Sequence, residues 1–244
     1  IAHPDRLYIG AERVWRTSAV RSPKIPADSW QPLSTAFTDG SRQLTVQTIA
    51  PAASDERVVY AGLCGHLIVT RSDGQTWTDT IDNGLPDRCV TDIAVHPQRA
   101  GQAYASVSGF GAGHVFFTDD FGATWTDISG SLPDTPVNAI AIDPESSPPL
   151  VFVGTDVGVF VSPDNGLRWG RTGKGLPNTI VTDLLYDTAS DELVAATFGR
   201  GMWAAPVWRF QSLIARARAT TAAAAYRLEA SRFAESGIRP DGRK

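Results

Sequence analysis

Thr118 to Asp127 reads TDDFGATWTD, two adjacent carboxylates followed by a glycine and a Thr-Trp pair. Three chemistries fit those residue types. Asp119 and Asp120 beside Gly122 could be ligands in a metal loop or the acid/base pair of a glycosidase. They could equally belong to a hairpin turn, with a carboxylate accepting backbone N–H groups and a glycine taking a left-handed backbone. Two further versions of the stretch occur, TRSDGQTW from Thr70 to Trp77 and SPDNGLRW from Ser162 to Trp169. Recurrence at regular spacing is the mark of a fold element, so the turn is the expected reading.

The elements around these turns repeat as well. Apolar lines ending in a turn are VQTIAP (46–51), VTDIAVHP (90–97), VNAIAIDP (137–144) and VTDLLYD (181–187). A second set is RLYIGAE (6–12), RVVYAGL (57–63), QAYASVSG (102–109), LVFVGTD (150–156) and ELVAATFG (192–199). A third is RVWRT, HLIVT, HVFFT, GVFVS and GMWAA, and a fourth is led by Trp30, Trp77, Trp125 and Trp169. Each unit of about 45 residues thus holds four short β-type runs rich in Val, Ile, Thr and aromatics. That pattern predicts an all-β chain, a β-propeller of four-stranded antiparallel blades with strands A to D in each. About five blades are represented over residues 1–207. The opening IAHP matches the tail of a strand A, and GMWAAPV ends the last blade without a Trp-led strand D. The expectation is therefore the C-terminal part of a larger propeller; a five-bladed ring closed by VWRFQSL is the weaker alternative. An opening Ile rather than Met, with no signal-like segment before it, reads as a processed or truncated product.

The repeated turn resembles the Asp box (BNR repeat), Ser/Thr-x-Asp-x-Gly-x-Thr-Trp. Thr118, Asp120, Gly122, Thr124 and Trp125 fit every fixed position; Ser162, Asp164, Gly166 and Trp169 fit with Arg168 in place of Thr; Gly74, Thr76 and Trp77 fit with Ser72 in place of Asp. In the first blade only Trp30 survives, after a longer loop. The resemblance covers residues 1–207 and implies Asp-box propellers, a group that includes sialidases, xyloglucan-type endoglucanases, sortilin-like receptors and photosystem assembly factors. Asp120 and Asp164 are then turn-locking carboxylates, Gly74, Gly122 and Gly166 backbone permits, and Trp77, Trp125 and Trp169 packing residues. The turns join strands C and D, so they lie opposite the B–C and D–A loops where propeller ligands usually sit.

On that other face the B–C loops offer Glu12, Arg13, His66, His114, Asp156, Phe198 and Arg200, and the starts of strand A add Asp92, Asn138 and Asp183. Arg200 stands between two glycines, which lets a ligand approach closely, and is a candidate contact for an anion or sugar together with Asp156, His66 and Arg13. Its alternative is a closing turn paired with a carboxylate such as Asp183. Asp92 and Asp183 occupy matching positions two blades apart and are the candidate catalytic carboxylates; their alternative is to cap strand starts. No sialidase Phe-Arg-Ile-Pro element is present. The favoured function is a noncatalytic binding or assembly module for a protein or glycan. The alternative is a glycoside hydrolase, endoglucanase- or sialidase-like, that lacks its N-terminal blades. Apolar loop tips would favour the first, and facing carboxylates of raised pKa the second.

Composition narrows the partners. The net charge is −4, but residues 208–244 hold eight Lys/Arg against three Asp/Glu, so the remainder is strongly acidic. An acidic body lacks the clustered cations a nucleic-acid grip needs, and no apolar run is long enough to span a membrane. No metal and no cofactor is expected. Cys64 and Cys89 form one bridge or none; a bridge would accord with the extracytoplasmic or secreted location that ATFGRGMW also suggests by its likeness to secreted bacterial Asp-box proteins. From Trp208 the chain is Ala-rich and Gly-free to Gly237, with an apolar stripe of Phe210, Leu213, Ile214, Ala217, Thr221, Ala224 and Leu228 at helical spacing. It is expected to be a C-terminal helix that docks on the propeller or serves as a handle for a partner or larger assembly.

Overall fold

The computed structural model describes residues 5–111, 113–172 and 175–207. The expected C-terminal helix lies outside the described residues. Alternating apolar runs and Gly/Asn/Asp/Pro punctuation become antiparallel meanders, each strand pairing with the next in sequence. The first sheet joins β1 (Leu7–Gly10), β2 (Val14–Thr17) and β3 (Gln31–Pro32), followed by a small hairpin, β4 (Thr38–Asp39) and β5 (Arg42–Gln43). The second holds β6 (Thr48–Pro51), β7 (Val59–Leu63), β8 (His66–Thr70) and β9 (Thr78–Asp79). The third holds β10 (Val90–Val95), β11 (Ala103–Val107), β12 (Val115–Thr118) and β13 (Thr126–Asp127). The fourth holds β14 (Val137–Asp143), β15 (Leu150–Thr155), β16 (Gly158–Ser162) and β17 (Gly170–Thr172). The fifth holds β18 (Val181–Asp187), β19 (Glu192–Thr197) and β20 (Gly201–Pro206).

The sheets stack face to face, with β1, β6, β10, β14 and β18 meeting in turn along the inner side. Four apolar cores lie between successive sheets. One sets Val14 and Leu33 against Val59 and Ile68; the next sets Tyr60 and Val69 against Ile93, Phe116 and Trp125. Then Tyr104 and Ile128 face Ile140, Val153 and Trp169, and Ala141 and Phe152 face Leu184 and Leu193. Second strands such as β15 (LVFVGT) are buried at every residue because both faces are covered, which is why they read as continuous apolar runs.

The recurring turns are built alike. Thr124 N–H and Thr118 Oγ1 both donate to Asp120 Oδ1 (2.9 and 2.8 Å), and Thr124 Oγ1 donates to Oδ2 (2.8 Å). In the next turn Arg168 donates its N–H to Asp164 Oδ1 and its Nε to Oδ2, both at 2.9 Å, so the guanidinium replaces the missing Thr hydroxyl. Ser72 Oγ accepts Thr76 N–H at 2.9 Å and meets Thr76 Oγ1 at 2.8 Å, reproducing the turn without a carboxylate. Two consecutive residues, not the glycine alone, are left-handed: Asp73 and Gly74, Phe121 and Gly122, Asn165 and Gly166. The glycines also sit hard against the preceding sheet. A Cβ on Gly74 would stand 2.3 Å from Leu33 O, and one on Gly166 2.1 Å from Ile128 O. Each Trp of the motif donates its Nε1–H to the residue three beyond the preceding sheet's Trp: Trp77 to Leu33 O, Trp125 to Thr80 Oγ1, Trp169 to Ile128 O. The turns are clamps between sheets.

Burial pulls the Asp120 carboxyl up, but the bonds from Thr124 and Thr118 more than offset it and hold its pKa below the ordinary value. A folded pKa below the unfolded one gives stability that is present above the unfolded value, about 3.9, and lost as pH falls through the folded one. Asp120→Ser, the residue type that serves at position 72, should cost about 1 kcal/mol at neutral pH and flatten the acid limb of stability. Urea unfolding across the acid range reads both effects, and an unchanged acid limb would contradict this role.

Candidate functional site

The loops between second and third strands gather at the end of the sheets opposite the clamps. Most of their polar residues are spoken for. Arg13 pairs with Glu12 (3.2 Å) and stacks over Trp15. His66 Nδ1 meets Asp79 of its own sheet, and buried His114 bonds Asp134 through Nε2 at 3.0 Å. Asp156 accepts Asn138 Nδ2 at 2.9 Å. Arg200 differs: it is exposed, flanked by left-handed Gly199 and Gly201, and its carbonyl accepts Trp203 Nε1–H at 3.0 Å. Among the described residues its guanidinium makes no ion pair, so the expected alternative of pairing with Asp183 is absent there.

The two candidate catalytic carboxylates occupy one register position, immediately after a β-bulge: Asp92 opposite Ser106 and Asp183 opposite Ala196. Ala139 holds this position in β14, while Asn138 shares the bulge position with Thr91 and Thr182. Both Asp92 oxygens are engaged. Oδ1 accepts Ile93 N–H at 2.8 Å, and Oδ2 accepts Ile140 N–H from the next sheet at 2.9 Å. Burial nevertheless raises the Asp92 pKa against these two bonds, with the charge of Asp183 adding to the rise. Asp183 Oδ1 likewise accepts Leu184 N–H at 2.8 Å. Asp92 thus ties two sheets together through both of its carboxylate oxygens.

What the loop face does present is apolar. Phe110, 61% exposed, Val157 and Phe198, 73% exposed, crown the corresponding loops of the third, fourth and fifth sheets. Phe198 was named from the sequence; Phe110 and Val157 were missed. The signal existed in Phe110, which stands between two left-handed glycines, Gly109 and Gly111, as Arg200 does. The Phe110 loop is braced from several sides. Arg88 reaches the carbonyls of Ser108 and Phe110, Ser108 N–H donates to Cys89 O, and Gly111 N–H donates to Asp134 at 2.8 Å. Cys89 is itself bonded to Cys64 by a disulfide across the second and third sheets, closing the choice between bridge and free thiols. On the clamp face a cleft of about 330 Å³ lies between Arg71, Thr76, Thr78, Asn83 and Phe121, with the Arg71 guanidinium 4.0 Å from the Phe121 ring centroid.

Several solved structures superpose on this chain. The GH74 xyloglucanase from Xanthomonas campestris does so with a TM-score of 0.61 and 14% identity, over 84% of this chain and 36% of that one. A chain of a nidogen/laminin complex gives 0.60 and 13%, over 82% of this chain and 73% of that one. The extracellular domain of a hybrid two component system from B. thetaiotaomicron gives 0.57 and 13%, over 82% and 26%. The fold is β-propeller-like. Of the xyloglucanase and the extracellular domain, this chain spans well under half the length. No protein-family model matches the chain, and no curated protein matches it in sequence. The site must therefore be argued from its own residues.

Proposed function

We propose that the chain is a noncatalytic binding module built on an Asp-box propeller that continues beyond these five sheets, and that its loop face takes up a protein or glycan partner. The observation that carries this is the row of exposed apolar tips, Phe110, Val157 and Phe198, beside Arg200, which makes no ion pair among the described residues. Exposed aromatics with an arginine at the rim are what binding hot spots are made of, and a braced loop loses little entropy on binding. Among the comparable folds, the nidogen/laminin complex is itself an assembly. The disulfide supports an extracytoplasmic setting. Residues 208–244 supply a basic handle for a larger assembly in the same reading.

The second reading, a glycoside hydrolase, rests on the raised pKa of Asp92 and the likeness to a GH74 xyloglucanase. It is the lesser because both Asp92 oxygens already accept backbone N–H groups, one of them from the neighbouring sheet, whereas an acid catalyst must direct its carboxyl at the glycosidic oxygen.

Affinity electrophoresis of the chain through gels cast with xyloglucan and other plant and bacterial polysaccharides tests the rim. At least one should retard the chain, and Phe110→Ala/Phe198→Ala should weaken that retardation tenfold or more with unfolding unchanged. Retardation that the double variant leaves intact would place recognition elsewhere.

A further inference from the structure

We infer that the open face of the fifth sheet is a docking surface for one more antiparallel sheet of this chain's own repeat, latched by Thr182 and Asp183. This rests on the reading that the propeller continues beyond the five sheets, and it names the residues that receive the continuation.

Two positions carry side-chain bonds between successive inner strands: both act between β10 and β14, the first alone between β14 and β18, and the second alone between β6 and β10. At the bulge position, Thr91 Oγ1 donates to Val137 O of the next sheet (2.7 Å), and Asn138 Nδ2 donates to Val181 O (3.2 Å). One residue later, Asp92 Oδ2 accepts Ile140 N–H of the next sheet, while Thr48 at the same position of β6 donates to Asp92 Oδ1 at 3.4 Å. In the fifth sheet these positions are Thr182 and Asp183. Asp183 holds its own Leu184 N–H through Oδ1, as Asp92 holds Ile93 N–H. Among the described residues no donor meets its Oδ2, and Thr182 Oγ1 turns back to Ala196 O at 3.3 Å.

The rest of the face agrees. Leu185, Val194 and Ala204 lie in one cross-strand row, and Asp183, Ala196 and Met202 in another. Their counterparts in the fourth sheet are Ala141, Phe152 and Val161, and Ala139, Gly154 and Val159. There Ala141 and Phe152 are 7% and 0% exposed beneath the fifth sheet, whereas Leu185 and Met202 are 62% and 75% exposed. Among the described residues, an interface already used four times is thus presented once more, with matching cross-strand rows and with Thr182 and Asp183 at the positions that bond across the junction of β10 and β14. What fits is a sheet whose inner strand offers a carbonyl to Thr182 and a backbone N–H to Asp183 Oδ2.

The test compares the full chain with an extended one, in which residues 205–244 are replaced by a second copy of residues 162–207. The copy supplies the fifth sheet with a fourth strand and places a duplicate of β18–β20 against its open face. Hydrogen exchange at the amides of Leu185 and Val194 should slow at least tenfold in the extended chain. Asp183→Ala should reverse most of that protection in the extended chain, while in the full chain it removes only the Leu184 N–H bond and leaves exchange at Leu185 and Val194 unchanged, where Asp92→Ala speeds exchange in β10 and β14. Protection by the copy that Asp183→Ala leaves intact overturns the latch while sparing the continuing propeller; no protection overturns both. If the extended chain does not fold, the full chain still decides. Asp183→Ala destabilising it as much as Asp92→Ala, protection rising with protein concentration, or protection lost on deleting residues 208–244 each shows Asp183 or the face already occupied, and overturns the proposal.

Discussion

Trp125→Ala should lower the free energy of unfolding by about 3–5 kcal/mol, the range for deleting a buried aromatic from a packed core. Trp125 is buried in the core between the second and third sheets. Its Nε1–H bonds Thr80 Oγ1 at 3.2 Å, and its backbone N–H bonds Asn83 O at 2.8 Å. Asn83 returns the contact, donating Nδ2–H to Gly122 O at 2.9 Å. Removing the ring therefore empties volume between two sheets and takes one donor from the Thr80 hydroxyl, which is left only its bond to Leu67 O. Trp125→Phe separates the two losses, since it keeps most of the ring and should cost about 1–2 kcal/mol. Both values are read from urea or guanidinium midpoints at constant slope. Against a total stability of about 5–15 kcal/mol, the Ala variant should stand near the edge of folding. A Trp125→Ala protein as stable as the parent would mean that the turns do not clamp the sheets.

The second large effect is expected from Cys64→Ser/Cys89→Ser. The bridge closes a loop of sequence separation 25, so on the chain-entropy account its removal should cost about 3 kcal/mol. The consequence for function is local. Cys89 O receives Ser108 N–H, and neighbouring Arg88 holds the carbonyls of Ser108 and Phe110, so the bridge anchors the strap that positions the Phe110 tip. Amide exchange around residues 108–111 should therefore speed up more than that of β15, and polysaccharide retardation should weaken even where the variant remains folded. Equal stability with and without reductant would refute the stabilising role.

The sheets were legible because a strand advertises itself locally. Val, Ile, Thr and aromatic runs bounded by turn residues mark β7, β11 and β15, and the spacing of the Trp residues marks the repeat. The turn chemistry was legible for the same reason: Thr124 bonds Asp120, and Gly122 bonds Thr118, each within four residues. Two features of the turn were not. Phe121 and Asn165 share the left-handed backbone although neither is glycine, and Arg168 stands in for a hydroxyl through a longer side chain. The site was harder because its meaning depends on contacts between sheets. Asp92 is conspicuous in VTDIAVHP, but only the placement of β14 beside β10 reveals that its second oxygen accepts Ile140 N–H. Phe110 was missed because its loop is held by Arg88 and Asp134, some twenty residues away in sequence.

The division between binding and catalysis turns on Asp92 and Asp183. Incubating the full chain with xyloglucan and the other polysaccharides of the gel panel, and measuring newly formed reducing ends, tests it most directly. A module in which Asp92 ties two sheets together and Asp183 holds its own strand should release none above background, even from a polysaccharide that retards it. Release that persists in the parent chain and disappears in Asp92→Asn or Asp183→Asn, with the variants still folded, would show a hydrolase instead.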